Sequence, residues 1–170
     1  MTASVPPLLR VVIVAALLVG LVMAALRWSR PESRIPARQK ALMSAVSSRN
    51  WSKVERLMSE NYRDHWHHDR AHARDTLSTV AGGFLTLEVT LQAPVLDIDA
   101  TGGPEIRGRL RLQGSGGGLA PMVQREVNRL EEPFVFVWEK TGSLPWHWSL
   151  LRVEQEELQR RASLNLPGLR

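Results

Sequence analysis

The feature that most restricts the fold of this chain is a change of hydrophobic period near Phe84. Before it, apolar residues recur every three or four positions, the spacing of a helix that buries one stripe. After it, they alternate with polar residues, the spacing of strands that bury one face. A block of helices followed by a block of strands is the pattern of an α+β domain, with helices packed on one side of a mostly antiparallel sheet. It excludes the regular βαβ alternation of a doubly wound fold.

Three helical stretches precede the switch. Ala41, Leu42, Ala45 and Val46 mark the first, which ends near Ser48. Asn50 is placed to N-cap the second, whose stripe is Trp51, Val54, Leu57 and Met58. The third carries Ala73, Leu77, Val80 and Phe84, weakened by Gly82-Gly83. The second and third share one helical phase, and we break them between Asn61 and Asp69 because Asp69 suits a second N-cap. Beyond the switch, Leu87, Val89 and Leu91 alternate in a strand that Pro94 is expected to end. Leu96, Ile98 and Ala100 alternate next, before a Thr101–Pro104 turn. Ile106, Gly108, Leu110 and Leu112 then alternate with Arg107, Arg109 and Arg111. The run GSGGG at 114–118 has the composition of a flexible linker and lacks the GK[ST] of a phosphate loop. Val123, Val127 and Leu130 predict a short helix over 121–130, and residues 134–139 and 146–153 predict two strands joined by a Thr141-Gly142-Ser143 turn.

At the other end of the chain, Val11–Leu26 forms a run of sixteen residues with no charge. As a helix it would be about 24 Å long, and about 28 Å with Leu8 and Leu9, near the ~30 Å of a bilayer core. Trp28, with Arg27, Arg30, Arg34, Arg38 and Lys40 following the apolar run, reads as an interfacial and stop-transfer flank. We therefore expect a single-pass membrane anchor over 8–28, with a cleaved export signal as the competing reading. The flanking charges and the short leader argue for opposite orientations, so the side of the membrane stays open. Residues 29–36 read as a linker, 37–153 as the folded domain and 154–170 as a polar tail. Of 22 Lys+Arg, only Arg10, Arg27 and Arg30 precede residue 31, which leaves 19 bases against 17 acids in the rest. So small an excess gives no field for nucleic acid, and none is expected as a partner. With no cysteine in the chain, disulfides, thiolate metal sites and thiol nucleophiles are excluded.

The stretches NWSKVERLMSENYRDHW and PFVFVWEKTG…WHWSLLRVE, with helices before a closing meander, resemble the nuclear transport factor 2-like superfamily, also called cystatin-like and including polyketide-cyclase-like proteins. The resemblance spans roughly residues 37–154. It implies a curved sheet wrapped around a helix as a cone, on a fold that serves enzymes, binding modules and secretion-apparatus subunits alike. The glycine-rich loop and the 121–130 segment are departures from that pattern. Relatives that carry out acid–base chemistry would place a carboxylate or histidine opposite a hydrogen-bond donor in the cone. Tyr62, Asp64, His65 and Asp75 are the candidates near the helix that would line it. None of them matches a family motif residue by residue.

Two further groups stand out. His65, Asp69 and His72 would share a face on a continuous helix and form a weak candidate metal site, although a solvated helix corner capped by Asp69 explains the same residues. Arg107, Arg109 and Arg111 lie about 7 Å apart on one sheet face, either paired across strands with acids such as Glu88 and Glu139 or open to an anionic surface or protein partner. Trp138, Trp146 and Trp148 read as packing of the last hairpin. No cofactor is implied. The sequence favours a membrane-anchored, non-catalytic binding or assembly module, homo-oligomeric or bound to another protein, with a small-molecule acid–base enzyme as the alternative.

Overall fold

The computed structural model describes residues 13, 16–21, 23–24, 31–64, 66–142 and 147–164. Helices α1 (Pro31–Ser47), α2 (Trp51–Leu57) and α3 (Arg70–Gly82) come first. They are followed by strands β1 (Phe84–Asp97) and β2 (Glu105–Gly116), helix α4 (Ala120–Arg129), strands β3 (Phe134–Lys140) and β4 (Trp148–Glu154), and helix α5 (Glu156–Leu164). The strands form one antiparallel sheet in the order β1-β2-β3-β4. The expected α+β class, with helices on an antiparallel meander, is what the chain adopts.

The helix breaks form where the caps were expected. Asn50 Oδ1 accepts from the Lys53 amide at 3.1 Å, and Asp69 Oδ1 accepts from the His72 amide at 2.9 Å. Between α2 and α3 the chain is laid along β4, with the Ser59 amide donating to the Leu150 carbonyl at 2.8 Å and the Arg63 amide to that of Leu151 at 3.1 Å. Those two bonds press the 58–64 segment against the sheet, and they set the position of Tyr62 and Asp64.

Several expectations are corrected. Residues 31–36 are not a linker: α1 starts at Pro31, and Ile35 is 0 % exposed inside the core. Pro36 costs the helix one amide donor, but close to its start, and burial of Ile35, Leu42, Met43 and Ala45 along α1 outweighs that loss. Pro94 does not end a strand. β1 runs on to Asp97 through a register shift between Gln92 and Val95, with Ala93 at φ 47°. It is an edge strand, where a missing amide at a bulge costs no ladder bond. Phe84 opens β1 instead of closing α3; of the expected α3 stripe Ala73 is buried, while Leu77 and Val80 are exposed. The first half of GSGGG is strand: Gly114 and Gly116 pair with Leu87 and Phe84. A Cβ on Gly114 would lie 2.2 Å from the Thr86 carbonyl oxygen, so glycine there permits a close approach of two backbones.

The inner face of the sheet and α1 enclose the core, centred on Trp138, Phe136, Ile106 and Leu150. Trp138 Nε1 donates to Gln39 Oε1 at 3.2 Å, joining β3 to α1. Trp148 is buried as expected; Trp146 lies outside the described residues. β2 and β3 pair only over Glu105–Gly108 and Phe134–Val137. Past that point Asn128 of α4 takes over the ladder, accepting from the Leu112 amide and donating to the Leu112 carbonyl, both at 2.8 Å. Of the expected tail, Glu156–Leu164 form α5; Gln155, just before it, is buried, and Leu158 packs on the core. Of the expected anchor, Ile13, residues 16–21, Met23 and Ala24 are helical and exposed, and the rest lies outside the described residues. Among the described residues no helix is long and apolar enough to cross a membrane.

Candidate functional site

A cavity of about 450 Å³ opens between α1, the α2–α3 connection, α3 and the concave face of the sheet. Val54, Met58, Leu110, Phe134, Phe136 and Leu150 supply an apolar wall. Its polar groups are few, and three come from one short loop: Tyr62, Asp64 and His68.

That loop is built around the Asp64 carboxylate. Oδ1 accepts from the amides of Trp66 at 2.9 Å and His68 at 2.8 Å, the local bonding by which aspartate organises turns. The Asp64 amide donates to the His68 carbonyl at 3.2 Å, and His67 takes φ 64° to close the turn. Oδ2 then faces His68 Nδ1 at 3.0 Å. The Asp64 side chain is only 7 % exposed, whereas His68 is 34 % exposed. A carboxylate can only accept, so it holds the proton of the neutral imidazole on Nδ1 and leaves Nε2 with a free lone pair. The His68 ring stacks on His72, with centroids 4.3 Å apart.

Tyr62 is buried beside this pair. Burial, then the charge of Asp64, pushes its phenol well above the usual tyrosine range. It is therefore a neutral donor at any ordinary pH.

Of the pocket candidates read from sequence, Tyr62 and Asp64 line the cavity, and His65 lies outside the described residues. Asp75 does not line it. It is exposed on α3 and paired with Arg74 at 2.7 Å, while Arg74 also reaches Glu55 of α2 at 2.9 Å. His68 was not singled out for the pocket, although the aspartate four residues before it, just past a helix break, was the available signal. In the metal trio, Asp69 spends its carboxylate on the helix cap, and the His72 amide holds its carboxyl below the usual range. Among the described residues no group of three His, Asp or Glu is gathered to hold a metal ion.

Arg107, Arg109 and Arg111 are exposed on the outer face, opposite buried Ile106 and Leu112, so the strand register is as expected. Their proposed acid partners are not. Arg107 pairs with Glu105 of its own strand; Glu88 stands opposite Gln113; the Glu139 carboxylate accepts from the Ser59 hydroxyl. Arg109 and Arg111 face Gln92 and Thr90, and no acid pairs with them among the described residues.

The chain matches no known family and no curated protein sequence. Its likenesses are to solved structures. Aln2 from a Streptomyces species superposes with a TM-score of 0.55 at 7 % identity, over 78 % of this chain and 97 % of that one. A nuclear transport factor 2-like protein from Cytophaga hutchinsonii gives 0.50 at 11 % identity, covering 73 % and 95 %. A provisionally assigned scytalone dehydratase from Novosphingobium aromaticivorans gives 0.50 at 9 % identity, covering 72 % and 80 %. At these identities the likeness establishes the fold, nuclear transport factor 2-like or cystatin-like, and nothing about activity.

Proposed function

We propose that the cavity is the active site of an acid–base enzyme acting on a small, largely apolar molecule. The observation that carries this reading is the Asp64–His68 pair at the wall of an apolar cavity, with a neutral tyrosine beside it. In this reading His68 Nε2 removes a proton from a carbon or hydroxyl of the substrate. Asp64 holds the tautomer that makes Nε2 the base and balances the imidazolium as it forms. Tyr62 donates to the substrate oxygen on which negative charge develops. What supports this reading over the non-catalytic module expected from the sequence is that the cone is not filled by its own side chains.

The test uses 5-nitrobenzisoxazole, an apolar aromatic whose C–H proton is taken by a base while its N–O bond breaks to release a coloured phenolate. The wild-type chain should accelerate ring opening over His68→Gln by about 10²–10⁴, the usual contribution of a positioned base. Asp64→Asn, which turns the tautomer, should lose most of the same factor. Equal rates for wild type and His68→Gln would return the chain to the binding-module reading. We further propose that residues 8–28 tether the domain to a membrane, on a side still to be determined; release of full-length chain by carbonate extraction would refute the tether.

A further inference from the structure

A second hollow lies between α1 and the edge strand β1; it adjoins the cone, with Met43 and Val89 lining both. It encloses about 550 Å³, within the ~300–1,000 Å³ that small-molecule sites occupy. Its wall is apolar: Pro36 and Met43 from α1, Val89, Leu91 and Pro94 from β1, and Ile106 from β2. The bulge between Gln92 and Val95, which carries Pro94, lies in this stretch of the edge strand.

The polar groups of the groove are specific. Gln39 lines it and is 4 % exposed. Its amide orientation is dictated by Trp138. The indole N–H only donates, so Gln39 must turn its oxygen toward Trp138 and its NH₂ group away. That Nε2 is buried and has no partner among the described residues. Protein interiors rarely leave such a donor without an acceptor. Lys40 and Glu88 stand exposed on the lining, one on each wall. Their opposite charges cancel, so the groove has no field that selects an anion or a cation.

We propose that this groove is a second ligand site, taking a neutral, mainly apolar molecule whose carbonyl oxygen accepts a hydrogen bond from Gln39 Nε2. The apolar wall buries the body of the ligand and the Gln39 amide orients it. A carbonyl is slender enough to reach a donor on the floor of the groove. A carboxylate would meet Glu88 as well as Lys40, and a plain hydrocarbon would leave the amide unmet.

The test is a titration of the ¹⁵N-labelled full chain with 2-acetylnaphthalene, followed through the Gln39 side-chain amide and the Trp138 indole N–H resonances. Both should shift and saturate. 2-Ethylnaphthalene, which lacks the acceptor, and 2-naphthoate, which carries a charge, should bind about tenfold more weakly, the value of one ordinary hydrogen bond. Ser44→Trp, which fills the groove, should abolish the shifts, whereas Leu77→Trp, which fills the cone, should leave them. The proposal is overturned if saturating 2-acetylnaphthalene moves neither resonance, or if 2-ethylnaphthalene binds equally well. It is also overturned if the shifts survive Ser44→Trp and vanish with Leu77→Trp. If the substituted chains do not fold, the comparison of the three naphthalenes on the wild type decides alone.

Discussion

Replacing Ile35 by alanine separates a structural first helix from a linker. The side chain is 0 % exposed and belongs to the main core, although the surrounding SRPESRIP has the composition of a connecting segment. The substitution removes three buried carbons, about 2.4 kcal/mol at ~0.8 kcal/mol for each. The space left between α1 and the sheet adds a cavity cost that brings the total to about 3 kcal/mol, inside the ~2–5 kcal/mol range for such truncations. With a urea slope of about 2 kcal/mol per molar, the unfolding midpoint should fall by about 1.5 M with the slope unchanged. Ile35→Val should lose only about a third of that. Equilibrium urea unfolding of the full chain, read by tryptophan fluorescence, measures both. A linker residue would change stability by less than ~0.5 kcal/mol, and a midpoint within ~0.3 M of wild type would refute the placement of α1 in the core.

Asn128→Ala should cost about 1–3 kcal/mol in the same assay, because it strips the Leu112 amide and carbonyl of their partners where β3 has ended; Asn128→Asp should be no better, since it cannot donate to the carbonyl. Gly114→Ala should lower the melting temperature by several degrees, as its Cβ would meet a backbone oxygen that can move only with β1; an unchanged melting temperature would mean the two strands are further apart than described. Tyr62 binds its proton more tightly folded than unfolded, so its contribution is complete below about pH 10 and is lost as pH rises from there through the raised folded value. Tyr62→Phe should flatten the alkaline loss of stability by up to about 1.4 kcal/mol per pH unit above pH 10, and parallel stability profiles would contradict the burial of that phenol. Asp69 is shifted the other way, chiefly by the His72 amide, so its cap is intact above about pH 4 and weakens as pH falls through its lowered folded value; Asp69→Asn should keep the cap and lose that acid sensitivity.

The candidate site was half legible in the sequence. Tyr62 and Asp64 could be named because a helix break followed by a carboxylate is a local signal. His68 was not named and Asp75 was, because helical phase says which residues share a face, and not which face meets the cavity. Asp75 points to Arg74 on the solvent side of α3, whereas His68 is turned inward by hydrogen bonds within its own loop. The second hollow had no sequence signal: Gln39 and Trp138 are 99 positions apart.

Local physical chemistry determined the order of elements, the caps at Asn50 and Asp69, and the inward and outward faces of β2. Each depends on period, side-chain reach or backbone preference within a few residues. Tertiary packing decided the rest. It drew the proline-rich 31–36 segment into a helix, carried β1 through Pro94 because that strand has a free edge, and made strand of Gly114–Gly116 because two backbones must pass closely there. In each case the local cost is about 1–3 kcal/mol. Burial of distant apolar partners exceeds that cost, and no window of sequence contains both sides of the comparison.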